Sequence, residues 1–223
     1  MEYITQFARF VIQLFSWRMV PFYAISVIGT LFLVGTGLDW AYLVFVLNVM
    51  PSSLLFVADL LGFILPVLLM LSSLIVLFVS RKKIYRMYAE ATLYAILLGF
   101  SLSTVFKAFT GRTSPPHRHS GEKLVLIDNS NGFDFGFMNN HVIGGWPSSH
   151  TTIAFALAMT LTLLLPKRWY IKTTLFGIAL FIGIGVTFGF HWLSEFVAGA
   201  CLGTAIGLVV GRYYKSSRID ALV

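Results

Sequence analysis

Leu60–Ser80 reads LLGFILPVLLMLSSLIVLFVS, without a charge from end to end, and Arg81, Lys82, Lys83 and Arg86 follow at once. A helix needs roughly 20 mostly apolar residues to cross the hydrocarbon of a bilayer. There the helix satisfies its own peptide groups, which no lipid can do for it. The basic cluster after it is the usual cytoplasmic boundary of such a span. This stretch therefore points away from a soluble fold, and the rest of the 223-residue chain agrees with it. The chain is 57% hydrophobic and 11% charged, against about 25% charged residues in an ordinary soluble domain. Its net charge of +7 sits between apolar segments, with no basic stripe among exposed aromatics, so nucleic acid is not an expected partner.

Working outward, the spacing predicts an all-α polytopic membrane bundle of about six transmembrane helices. Residues 1–19, with Arg9 and Arg18 among Phe7, Phe10, Leu14 and Phe15, read as an N-terminal interfacial helix and lack the pattern of a signal peptide. A transmembrane domain follows over 20–214, and 215–223 form a tail. The first span runs from about Val20 to Leu38, and Asp39 and Trp40 mark an interface. Residues 41–80 are too long for one simple span. Pro51-Ser52-Ser53 divides them into a short interfacial or re-entrant helix and the span of Leu60–Ser80. Further spans are expected at about Tyr88–Phe106, Ser149–Leu165, Tyr170–Phe190 and His191–Val210. Residues 108–148 form one long polar connection, and connections of that length are usually functional or disordered.

In this arrangement Arg18, the Arg81–Arg86 cluster, Lys167/Arg168/Lys172 and Arg212/Lys215/Arg218 share one side. The positive-inside rule makes that side cytoplasmic, with both termini inside. Lys107, the long connection, His150 and His191 then collect on the opposite face, toward the outside or periplasm. Cys201, the single cysteine, excludes an intrachain disulfide and reads as a packing residue.

Three segments carry candidate chemistry. Lys107-Ala-Phe-Thr-Gly-Arg112 sets two cations at the outer end of a helix, where positive charge is otherwise depleted. Lys107 suits a point-charge phosphate ligand, and Arg112 a two-pronged one. Snorkelling anchors are the plain alternative. Trp146-Pro147-Ser148-Ser149-His150 feeds a helix start, where Ser is an ordinary cap and the unpaired N–H groups also bind anions. His191-Trp-Leu-Ser-Glu195 places an imidazole and a carboxylate four residues apart. An ionisable pair in an apolar helix is costly and functional by default. The carboxylate would hold one ring nitrogen and leave the other basic, as a nucleophilic histidine requires. Zinc on His150, His191 and Glu195 is the alternative, without the usual metallohydrolase spacing.

Together these segments resemble the type-2 phosphatidic acid phosphatase (PAP2) superfamily over about residues 88–210. The family pattern Lys-x6-Arg-Pro, Pro-Ser-Gly-His, Ser-Arg-x5-His-x3-Asp aligns with Lys107…Pro115, Pro147-Ser148-Ser149-His150 and His191…Glu195. Ser114 and Gly185 stand where the two family arginines belong, Ile184 replaces the serine of the third motif, and Glu195 replaces its aspartate. The resemblance implies metal- and cofactor-independent hydrolysis or transfer of the phosphoryl group of a membrane lipid phosphate or polyprenyl diphosphate. It implies His191 as nucleophile, Glu195 as its orienting carboxylate and His150 as the proton donor. Lys107, Arg112, Ser148, Ser149 and Arg118 would bind the phosphate. A non-catalytic lipid-phosphate binder with the same fold is the alternative. A secondary transporter fits less well, because the ionisable residues gather at one face rather than at mid-depth. Headgroup, acceptor and oligomeric state stay open at this level.

Overall fold

The computed structural model describes residues 2–49, 52–116, 127–139 and 145–220. Eight α-helices lie among them: α1 (Glu2–Leu14), α2 (Val20–Gly35), α3 (Leu38–Val49), α4 (Ser52–Val79), α5 (Lys83–Thr110), α6 (Ser149–Leu164), α7 (Trp169–Gly185) and α8 (Leu193–Asp220). Short 3-10 turns precede α2 at Trp17–Met19 and follow α7 at Val186–Phe188. The described residues contain no strand.

Local chemistry accounts for several boundaries. Ser148 caps α6, its side chain accepting from Thr151 N–H. Gly111 ends α5 in the left-handed conformation at φ 48°, which costs glycine nothing. Pro21 stands in the first turn of α2, where its missing N–H has no helical partner to lose.

The centre of the bundle is α6, with α4, α5, α7 and α8 packed around it. Its closest neighbour is α8, and a row of glycines explains why. Gly199, Gly203, Gly207 and Gly211 recur every fourth residue and face α6. A Cβ at Gly207 would stand 2.6 Å from Ala156 O, one at Gly199 2.8 Å from Ser148 O, and one at Gly203 would collide with Thr152 O. Small residues at i, i+4 let two helix backbones approach this closely inside a membrane, where packing rather than water expulsion drives association. Across the core, α1 inserts Phe10 edge-on against Tyr94 (centroids 5.1 Å) and Tyr213 (5.2 Å).

The outward surface is of the opposite character. Ile25, Ile28, Leu31 and Phe32 on α2, and Phe63, Leu68, Ile75 and Phe78 on α4, are all exposed. So wide an apolar surface suits lipid and not water. Five helical stretches are long and apolar enough to cross a membrane: Trp17–Gly35, Phe56–Val79, Lys83–Thr110, Trp169–Phe188 and Leu193–Ser216. Leu38–Val49 and Ser149–Leu164 are shorter apolar helices. The described residues thus form an all-helical fold whose five long apolar helices are consistent with a polytopic membrane bundle.

Several expected boundaries move. Pro51, the expected division, lies outside the described residues; α3 ends at Val49, and the next long helix starts at Ser52 rather than Leu60 and continues through Pro66. The stretch 52–59 is apolar apart from Asp59 and its two serines, so nothing in it interrupts the helix. The segment expected to reach Phe190 stops at Gly185 and tightens into the 3-10 turn, and α8 begins at Leu193 rather than His191. Gly189, at φ 151°, makes the chain reversal between them, a conformation side-chain-bearing residues rarely take.

Candidate active site

Four helix ends meet at one end of the bundle: the last turn of α5, the first turns of α6 and α8, and the end of α7 with its 3-10 turn. Each brings a residue singled out by its type and place in the sequence.

His191 lies in the turn before α8 and Glu195 in the first turn of that helix. The pairing does not come from a shared helical face. It comes from the turn, whose His191 N–H donates to Val186 O at 3.0 Å and so folds the ring back over the helix start. His191 Nδ1 meets Glu195 Oε2 at 2.6 Å, with both side chains almost fully buried. The His150 ring stands 6.0 Å from the His191 ring, centroid to centroid, at 61°. Lys107 is 5% exposed and within electrostatic range of both Glu195 and His150. Two imidazoles, a carboxylate and an ammonium thus converge from helices far apart in sequence.

The other expected phosphate contacts are placed less uniformly. Ser149 accepts a hydrogen bond from Ser103 Oγ at 2.9 Å and is partly exposed, as is His150. Ser148 is fully buried, its hydroxyl oxygen turned back to Thr151 N and Oγ1, and its N–H donates to Glu195 O at 3.2 Å. Arg112 is also buried, at 1% exposure. Its Nη1 donates to Ser194 Oγ at 2.5 Å, and its Nη2 to Asp39 Oδ2 at 2.7 Å and Ser130 O at 2.8 Å. The guanidinium lies over Phe133 (4.7 Å) and Trp192 (5.4 Å), and its Nε faces Glu195 Oε1 at 3.7 Å. Arg118 lies outside the described residues.

Two positions that depart from the family pattern have structural neighbours. Ser114 is partly buried, and its carbonyl accepts from Asn129 Nδ2 at 3.3 Å. Gly185 presses directly on Ala58 of α4, so closely that a Cβ there would collide with the alanine methyl. A second glycine of that interface, Gly62, leaves its space to His150, whose Cδ2 would lie 2.9 Å from an added Cβ. The glycine at 185 is therefore part of a tight α4–α7 contact.

Asp39 is the residue the sequence reading missed. The sequence marks it only as the edge of a span, and in the structure it is completely buried. Its carboxylate accepts from Ser194 N (2.8 Å), Ser194 Oγ (2.5 Å) and Arg112. The available signal was an acid between two apolar segments, which membrane proteins seldom carry without a partner. Among the described residues, no group of three or more His, Cys, Asp or Glu could hold a metal ion.

A helical membrane bundle with a histidine–carboxylate pair, a second histidine and a lysine gathered at one end defines a class of polytopic proteins with a polar site at the bundle end. The particular family follows from the sequence comparison: residues 89–219 match the PAP2 superfamily, and the chain belongs to it. No curated protein and no solved structure matches the chain. Membership agrees with an enzyme of the phosphatase or phosphotransferase type that handles lipid phosphate.

Proposed function

We propose that this protein hydrolyses or transfers the phosphoryl group of a membrane lipid phosphate or diphosphate through a phosphohistidine on His191. The observation that carries the reading is the 2.6 Å contact of His191 Nδ1 with Glu195 beside the ring of His150 at 6.0 Å. With Nδ1–H donated to the carboxylate, Nε2 keeps its lone pair and is the attacking atom. A bond forms from Nε2 to phosphorus as the phosphorus–oxygen bond to the lipid breaks. His150 protonates the departing oxygen. Water, activated by the now neutral His150, then attacks the phosphohistidine and releases phosphate. An acceptor alcohol or phosphate in place of that water makes the protein a transferase.

Charge accumulates on the equatorial oxygens in such a transfer. Lys107, the Ser149 hydroxyl and the N–H groups at the start of α6 are the groups to receive it, a helix start being a natural anion site. The site residues need no metal for this sequence of steps. A lipid substrate follows from position, since a headgroup at the membrane surface reaches a bundle end directly. The same proposal includes six spans (α2 and α4–α8), an interfacial α1, both termini in the cytoplasm and the site facing outward across a plasma or inner membrane.

A second reading, lipid-phosphate binding without turnover, is favoured by one observation: neither position 114 nor 185 supplies an arginine, and the fork of Arg112 is turned to protein partners. Phosphate release by the purified protein against a panel of lipid monophosphates and diphosphates separates the two. Turnover that persists in excess chelator and disappears in His191→Ala is the expected result. Tight binding of one lipid phosphate without release replaces the enzyme with the binder, and activity lost to chelator and restored by zinc replaces phosphohistidine with metal chemistry.

A further inference from the structure

Asp39 belongs to α3, fifty residues ahead of position 89, where the family match begins, and yet it is bonded into the centre of the site. A carboxylate with no exposed surface is costly unless its lone pairs are used. Here Oδ1 accepts from Ser194 N, and Oδ2 from both Ser194 Oγ and Arg112 Nη2. Ser194 N is one of the backbone donors that the first turn of a helix leaves without an internal partner. Asp39 thus caps α8, the helix that carries Glu195, from a different element, and sets negative charge at its positive end.

Arg112 extends this link. Besides Asp39 it holds Ser194 Oγ and Ser130 O, and its guanidinium, beside the rings of Phe133 and Trp192, turns Nε toward Glu195 Oε1 at 3.7 Å. Neither of those two facing atoms has a hydrogen-bond partner, although both are buried. Their gap is slightly longer than a hydrogen bond, and such contacts commonly tighten in the reacting complex. Glu195 Oε2 holds His191, so a row runs Asp39–Arg112–Glu195–His191, its middle link an ion pair at 3.7 Å. The next residues of α3 grip the same segment: Trp40 packs on Trp192 at 6.4 Å, and Tyr42 Oη pairs with Thr187 Oγ1 at 2.7 Å. A buried ion pair is a poor device for stability alone, since apolar residues of similar size usually do as well.

We propose that Asp39 is a positioning residue of the phosphotransfer site, acting through Arg112 and Ser194 to fix Glu195 and so aim His191. The proposal rests on the phosphotransfer reading above. It makes α3 part of the working site and makes Arg112 an internal brace whose planar fork serves the protein before any substrate.

The test uses the full chain in lipid nanodiscs and a lipid phosphate that the wild type turns over. Asp39→Asn keeps the shape and removes the charge. Asp39→Asn and Arg112→Gln should each lower kcat about 10- to 100-fold with little change in KM, and the double variant should lose no more than the worse single. Additive losses, or wild-type kcat in Asp39→Asn, overturn the proposal while leaving His191 chemistry in place. A second measurement needs no substrate: the Nδ1–H proton resonance of His191, assigned by its disappearance in His191→Ala. It should move in both single variants and stay in Tyr23→Phe, which removes only a hydroxyl that donates to Leu14 O at 2.9 Å. An unmoved resonance in Asp39→Asn also overturns the positioning role. Should Asp39→Asn fail to fold, Arg112→Lys, which keeps the charge and loses the fork, is expected to show the same loss and the same movement. If the wild type turns over no lipid phosphate, the phosphotransfer reading fails, and the resonance still decides the role of Asp39.

Discussion

His191 and His150 stand side by side, but the chemistry asks different things of them, and substitutions should separate the two. Removing the nucleophile in His191→Ala should abolish turnover and phosphoenzyme together, in protein that still inserts and melts normally. Glu195→Ala leaves the nucleophile but frees its ring, so a loss of about a hundredfold or more with residual phosphoenzyme is expected. Radiolabelled lipid phosphate and acid-sensitive protein-bound label read both. His150 should behave as a general acid, a role typically worth about 10²–10⁴-fold. His150→Ala should therefore be severe with a lipid alkyl phosphate and mild with an aryl phosphate, whose leaving oxygen departs without a proton. Equal losses on both substrates would remove His150 from that role. As candidates, His150, His191 and Glu195 are legible in the sequence, because each is an ionisable group in an apolar helix-end context. The partners of Arg112 were not legible. A cation at a helix end looks the same in sequence whether it faces a phosphate or, as here, a buried carboxylate 73 positions away.

At the level of elements, two interfaces set the shape of the site. The glycine row of α8 brings its backbone against α6, and with it the first turns that carry Glu195 and His150. Gly203→Leu would drive a side chain into Thr152 O and Phe155. Overpacking of this kind costs about 1–3 kcal/mol or more. A lower melting temperature in detergent is expected, with loss of activity following loss of structure. The second interface is α4 on α7. Gly185→Arg would restore the arginine of the family pattern, but Ala58 occupies the space where its Cβ would begin. The substitution should destabilise the protein by about 1–3 kcal/mol and bring no gain in turnover. Adding Ala58→Gly should recover part of the melting temperature. A stable Gly185→Arg protein with raised turnover would show that α4 yields there. The i, i+4 spacing of the glycines is visible in the sequence. Which helix they face, and that Gly185 faces α4, is decided by packing.

On the scale of the whole molecule, the helices bring residues from Asp39 to Glu195 to one end of a bundle whose outer surface is apolar. The proposed topology puts that end outside and both termini in the cytoplasm, following the one-sided distribution of basic residues. Single cysteines at positions 125 and 168, in a background with Cys201 replaced by alanine, test it directly. In intact cells a membrane-impermeant maleimide should label V125C and spare R168C. The opposite pattern would turn the site to the cytoplasm and change which leaflet presents its substrate.

By itself the sequence determined the helical, apolar character of this protein and the family it belongs to. Uninterrupted apolar runs such as Leu60–Ser80 have no alternative to helices in hydrocarbon, and the motifs at Lys107, His150 and His191 sit beside such runs in register with one family. These are local properties, readable from neighbours along the chain. Only the tertiary structure decided where α4 begins to pack, that His191 meets Glu195 through a turn and not a helical face, and that Asp39 closes on Arg112 and Ser194. Those contacts join residues separated by up to 155 positions. Their energies depend on burial and distance, which a linear pattern does not contain.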